Sequence, residues 1–190
     1  MKSKKPFSSF IDFGLKVKWL MKKTLEVINE LERKGIIERY AIGGATALLF
    51  YAEPALTFDI DIFIYMPTDK NVKGFISLDS IYRSLESKGY KAEKEHVDID
   101  GIPVQFIPVY NPLIEEAVEM ASIKDYEGVK VKVLLIEHLL AIMIDTNRPK
   151  DRERINQLLT EISFDKSQLK AILKRHSLTE KWNKYIEEKE

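Results

Sequence analysis

Ile42-Gly43-Gly44-Ala45-Thr46-Ala47-Leu48, followed by Thr57-Phe58-Asp59-Ile60-Asp61-Ile62-Phe63, is the stretch on which the fold turns. Its second half reads as a strand running from Thr57 to Tyr65. Phe58, Ile60, Ile62 and Ile64 alternate with Asp59, Asp61 and Phe63, and side chains two apart on a strand share a face. Asp59 and Asp61 therefore stand side by side, with Cα atoms roughly 7 Å apart. Two carboxylates so placed repel one another unless a cation sits between them. Hard oxygen donors of this kind suit Mg²⁺, which commonly takes one or two carboxylates plus substrate phosphates. The alternative is an edge strand with a solvated acidic face. The strongly apolar flanks argue instead for a central strand, where unpaired charge is costly. The first half reads as a short strand, Tyr40 to Ile42, that ends in two glycines and opens a buried helix over Ala45 to Tyr51. A bare backbone at a helix start lets N–H groups approach a phosphate closely. By itself Gly43-Gly44 reads equally as a tight turn.

Working outward, Leu15 to Lys34 forms an amphipathic helix on the spacing of Leu15, Trp19, Leu20, Leu25, Ile28 and Leu31, stopped by Gly35. Trp19 and Trp182 are expected inside helix cores. Beyond the acidic strand, Pro67 to Gly74 is a polar loop and Leu78 to Ser87 a helix. Tyr90 to Val97 and Ile102 to Val109 are strands joined near Asp100-Gly101. Leu113 to Ala121 is a helix and Tyr126 to Val133 a strand region. From Leu134 onward the pattern is helical only: Leu134 to Asp145, Lys150 to Thr160, Lys166 to Arg175 and Thr179 to Glu188. Asp165 and Ser167 are cap candidates for the third of these, and Ser177 and Thr179 for the fourth. The expected organisation is an α/β core over residues 1–133, N-terminal helix included, with a helical C-terminal subdomain over 134–190.

The chain has 190 residues, 45% of them hydrophobic, which suffices for a sizeable core. Lys+Arg and Asp+Glu balance at 30 each, which argues against a nucleic-acid binder working by global attraction and leaves room for a local basic patch. There is no cysteine, which removes disulfides, thiolate nucleophiles and Cys-ligated zinc. No run has the length of a secretory signal or a membrane span, so the expected location is cytoplasmic. Arg148, Lys150, Arg152 and Arg154 form a local basic cluster that reads either as a solvated helix face or as a hold for an RNA acceptor end. Lys150 and Asp151 read either as a functional pair or as ordinary chemistry of a helix start. Glu137, in an otherwise apolar helix, is expected to pair with Lys150 or Arg148. His138 has no ligand partner at recognisable spacing, His96 and His176 being remote in sequence.

The double glycine followed by D-x-D is similar to the signature of the DNA polymerase beta-type nucleotidyltransferase superfamily. Within it, the chain resembles the minimal bacterial and archaeal members of the AbiEii kind, the toxin half of some toxin–antitoxin and phage-defence pairs. A third motif of that group, L-x-x-E-K-L-x-A, is similar to Leu134-Leu135-Ile136-Glu137-His138-Leu139-Leu140-Ala141. A fourth, R-x-K-D-x-x-D, is similar to Arg148-Pro149-Lys150-Asp151-Arg152-Glu153-Arg154. The order holds from Ile42 to Leu158.

The resemblance implies an α/β (α+β) fold: a nucleotidyltransferase-type mixed sheet flanked by helices, with the C-terminal helical subdomain. It implies Mg²⁺ or Mn²⁺ at Asp59 and Asp61, an NTP as substrate, and transfer of a nucleoside monophosphate to an RNA end such as that of tRNA, or to a protein hydroxyl. The catalytic residues it implies are Asp59, Asp61, Gln105, Lys150 and Asp151. Those implied to bind the nucleotide are Gly43, Gly44, Thr57, Glu137 and His138. A toxin or antitoxin partner is implied as well, and a membrane is not. Three positions differ from the pattern. His138 stands where the third motif has lysine, and Arg154 where the fourth ends in an acid. Gln105 holds the strand position at which such enzymes usually place a third carboxylate, with Asp98 and Asp100 the nearest acids. These differences motivate a second reading, a nucleotidyltransferase-fold binding module or antitoxin partner without catalysis.

Overall fold

The computed structural model describes residues 8–51, 59–66 and 78–188, with side chains from Lys16 onward. The expectations for Thr57, Phe58 and the loop from Pro67 to Gly74 lie outside the described residues.

The acidic strand organises everything else. As β2 (Ile60–Tyr65) it occupies the middle of a seven-stranded sheet, in keeping with its apolar flanks. On one side it pairs antiparallel with β1 (Arg39–Ile42), which runs parallel to β7 (Val129–Val133), itself hairpinned to β6 (Ser122–Tyr126). On the other side it runs parallel to β5 (Ile102–Pro108), followed outward by β4 (His96–Ile99) and β3 (Lys91–Glu93).

The pleat sorts β2 onto two faces. Ile60, Ile62 and Ile64 are fully buried on one, together with Tyr40 and Ile42 of β1. That face is covered by α1 (Ser8–Arg33) through Leu25, Ile28 and Leu31, and the Tyr40 hydroxyl donates to Asn29 Oδ1 at 2.5 Å. The other face carries Asp61, Phe63 and Tyr65, and meets α2 (Gly44–Leu48) and α4 (Pro112–Glu119). A further helix, α3 (Asp79–Glu86), leads into β3. Burial of side chains such as these contributes roughly 1.5–3 kcal/mol each, which is why the isoleucine alternation fixes the strand's register.

The C-terminal helices are α5 (Ile136–Thr146), α6 (Pro149–Glu161), α7 (Lys166–Arg175) and α8 (Thr179–Glu187). Their apolar faces, including Leu139, Leu140, Ile155, Leu158, Ile172 and Leu173, join the same hydrophobic cluster as the sheet. Asp165 caps α7 as its chemistry demands, accepting from the N–H groups of Ser167 and Gln168 at 2.8 and 3.0 Å.

Several expectations are corrected. Tyr90 to Val97 is not one strand: Lys94, at φ +58°, turns the chain between β3 and β4. The region before Val133 is a hairpin, not one strand, turning at Glu127-Gly128. Trp19 is 57% exposed, because the buried stripe of α1 runs through Met21, Leu25, Ile28 and Leu31 instead. Leu178, without a side-chain bond, stands at the cap of α8 in place of Ser177 or Thr179. No described helix is long and apolar enough to cross a membrane.

Candidate active site

Gly43 and Gly44 are glycines because Phe63 and Asp61 lie against them. A Cβ on Gly43 would sit 2.3 Å from the Phe63 ring. One on Gly44 would sit 1.9 Å from Asp61 Oδ2, and Gly44 has a φ of +57° besides. Only glycine meets both demands without strain. The loop is tied to the acids by backbone as well. The Gly43 N–H donates to the Asp61 carbonyl at 2.9 Å, and the Thr46 hydroxyl donates to the Asp59 carbonyl at 2.6 Å. The helix that follows has five residues, so its dipole adds little. What the glycines provide is bare backbone beside a carboxylate.

Asp59, at the start of the strand, is exposed and Asp61 is half-buried. Burial pushes the Asp61 pKa up, and the charge of Asp59 pushes it further. Arg148, Lys150 and Arg154 act in the opposite direction. The turn before α6 and the first turns of that helix thus lie within electrostatic reach of the acidic strand.

Gln105 lies directly abreast of Asp61 in the parallel register of β2 and β5, on the same face. An amide there accepts and donates hydrogen bonds but takes no proton. Neither neighbouring acid substitutes for it. Asp98 stands on β4, one strand further out, and accepts from the Gly101 N–H at 2.8 Å. Asp100, in the turn, receives the Tyr90 hydroxyl at 3.3 Å. The oxygen donors along this edge are therefore the carboxylates of Asp59 and Asp61, with Asp61 the one packed on Gly44 and the Gln105 amide abreast of it. No group of three or more His, Cys, Asp or Glu among the described residues is arranged to hold a metal ion. Such a set fits Mg²⁺ completed by substrate phosphate better than an all-protein cage.

Asp151 is fully buried in the first turn of α6. Its carboxylate accepts from Arg148 Nε at 2.7 Å, Arg148 Nη2 at 3.1 Å and the Thr146 hydroxyl at 2.8 Å. Burial alone would raise its pKa, but these bonds outweigh burial and hold it below the usual carboxylate range. Lys150 is exposed.

Glu137 and His138 are both buried and belong to a different neighbourhood. Glu137 does not pair with Arg148 or Lys150; its Oε1 accepts the backbone N–H of Asp165 at 2.8 Å, holding the start of α7. His138 Nε2 meets Glu116 Oε1 at 3.1 Å. Glu116 also takes a two-pronged bond from Arg175, at 2.7 and 2.8 Å, and one from His176 at 2.8 Å. The two histidines that looked unrelated in sequence share one carboxylate. Only their common partner on α4 joins them, and no spacing pattern announces that.

No family model matches the chain, and no curated protein matches it. Solved structures do. A seven-stranded mixed sheet whose central strand carries the acidic pair, with helices on both faces, is a nucleotidyltransferase-type α/β fold. The chain is similar to an antigenic nucleotidyltransferase-like protein from Paracoccidioides brasiliensis, with a TM-score of 0.53 at 19% identity over 85% of this chain and 91% of that one. It is also similar to the antibiotic-resistance factor ANT(2'')-Ia, with a TM-score of 0.50 at 12% identity over 90% and 98% of the two chains.

Proposed function

We propose that the protein transfers a nucleoside monophosphate from an NTP to a hydroxyl group, with Asp59 and Asp61 as its centre. The observation that carries this reading is the packing of bare Gly44 backbone on Asp61, facing the cations of α6. A triphosphate lies between them in this reading. Its phosphates rest on Gly43-Gly44, and Lys150 contributes a contact. A divalent ion held by Asp59 and Asp61 would neutralise phosphate charge and polarise the phosphorus under attack. The acceptor oxygen bonds to the α-phosphorus, the α–β bridging bond breaks, and pyrophosphate departs. Gln105 cannot take the hydroxyl proton, which leaves to a carboxylate of the pair or to water. Gln105 orients the nucleotide by hydrogen bonds instead. Glu137 and His138 support the site from behind, holding α5 against α7 and α4 ahead of the turn that bears Arg148.

Four motifs in order favour an AbiEii-like protein, with an RNA end or a protein hydroxyl as acceptor and a toxin or antitoxin as partner. Purified protein incubated with Mg²⁺, each labelled NTP, and cellular RNA or protein is expected to label one acceptor. An Asp59→Asn/Asp61→Asn double variant is expected to lower that labelling at least a hundredfold, on the scale of a few kcal/mol of lost transition-state stabilisation. Equal labelling by the variant, or none by the unaltered protein, rejects the reading. Gln105 beside Asp61 favours the second one, a binding module without transfer. Metal-dependent NTP binding with no transfer to any acceptor would select it.

A further inference from the structure

Asp151 looks at first like a third catalytic acid, since it follows Lys150 in the motif and its charge is retained. Its surroundings say otherwise. The side chain has 0% exposure, and its lone pairs are taken by Thr146 and Arg148. Arg154 Nη1 approaches the same carboxylate at 3.8 Å. Arg148 lies three residues before Asp151 and Arg154 three residues after, so one helical face brings both guanidinium groups to one buried anion. Arg154 stands where the similar motif ends in an acid, so this chain reverses the charge there.

We infer that Arg148 and Arg154 form a two-guanidinium clamp for the polyphosphate tail of the substrate, and that Asp151 is the positioning residue, fixing the Arg148 fork by hydrogen bonds and drawing Arg154 beside it by charge. Arg148 uses two of its five N–H donors on Asp151 and is 53% exposed, which leaves three for a ligand. Arg154 keeps 28% exposure and only a long contact to Asp151. A planar fork fixed at one edge presents paired donors to phosphate oxygens without a further cost in side-chain ordering. Two guanidinium groups against one carboxylate leave a positive charge to spare, and both lie within electrostatic reach of Asp61, where the phosphates would be. A helix whose only need was a capped first turn would be served by the acid alone.

The clamp rests on the nucleotidyl-transfer reading, and its test separates the two. The probe is inorganic tripolyphosphate with Mg²⁺, titrated calorimetrically into the full chain, because it carries the recognised chemistry without a base. Arg154→Gln and Arg148→Gln are each expected to weaken binding roughly tenfold, the scale of one charge-assisted hydrogen bond, and to flatten its salt dependence. Arg154→Lys should recover part of the loss, since it restores charge but not the fork. Lys174→Gln, an exposed cation on α7, should bind as the unaltered protein does. Asp151→Asn should weaken binding with Arg148 and Arg154 both present; should that variant not fold, the arginine variants still decide. Unchanged affinity in Arg154→Gln overturns the clamp and leaves nucleotidyl transfer standing. Transfer from an NTP by a protein that binds no tripolyphosphate does the same. Absence of both binding and transfer overturns the two together.

Discussion

Asp61 and Glu116 are both partly buried carboxylates on elements that meet at the same face of the sheet, and their environments are opposite. Asp61 faces a second carboxylate and bare backbone; burial and the Asp59 charge raise its pKa. Glu116 faces an arginine fork and two histidines. Burial alone would raise its pKa too, but the bonds from Arg175, His176 and His138 outweigh burial and hold it at about 2. One acid is fully spoken for by protein and ties α4 to α5 and α7. The other is placed where its charge is least comfortable, which is a cost to the folded chain and an attraction for a ligand of opposite sign. Perturbation by opposite-sign partners marks structure here, and perturbation by burial and like charge marks the candidate site.

The contrast breaks most sharply at the glycine. Gly44→Ala forces a methyl group into Asp61 Oδ2 at positive φ. It is expected to cost on the order of 2–4 kcal/mol in denaturant unfolding. A loss under 1 kcal/mol would show that the loop and the acid are not in contact. Glu116→Gln comes next. It leaves Arg175 and two histidines short of their anion and should cost about 1–3 kcal/mol.

The pH dependence sharpens the comparison. Glu116 has a folded pKa near 2 against 4.5 in the unfolded chain, so its contribution is complete above 4.5 and is lost as pH falls toward 2. His138 is held neutral, chiefly by burial, so its contribution is complete above 6.5 and is lost as pH falls below it. Asp61 runs the other way: its raised pKa favours the fold at low pH, and that advantage disappears as pH rises. Thermal midpoints measured from pH 7 downward should therefore fall, and the Glu116→Gln variant should show a flatter decline between 4.5 and 2. The smallest effect is Asp61→Asn at pH 7 without divalent ions. Removing the repulsion with Asp59 should raise the midpoint by roughly 2–4 °C, the scale of about 1 kcal/mol in a chain of this size. A lower midpoint would mean that Asp61 is paired within the protein.

The acidic strand is readable because Ile60, Ile62 and Ile64 are buried on one face with Asp61 on the other, although Phe63 is buried too. Asp100-Gly101 and Glu127-Gly128 show how far turn chemistry carries. Both pairs adopt positive φ at both residues, yet only the aspartate–glycine pair has a composition that signals a hairpin. Glutamate in that conformation is chosen by the strands around it, which propensity does not report. β3 merges with β4 in the sequence pattern because all three of its residues are exposed, so no alternation marks it. In the candidate site, the packing of Gly44 on Asp61 joins two motifs that local spacing marks. The pairings of Glu137, His138 and Asp151 are not so marked, since the first two depend on partners 28 and 22 residues away. The third depends on which way Arg148 turns at the head of α6.

The bonds from Gly43 to the Asp61 carbonyl and from Thr46 to the Asp59 carbonyl run between main chain and main chain or hydroxyl. None involves a carboxylate. These two ties survive when the Asp61 carboxylate is exchanged for an amide, because they run through main-chain carbonyls. The shape of the loop and the charge beside it are thus set by different atoms, and a substitution can alter the one without the other.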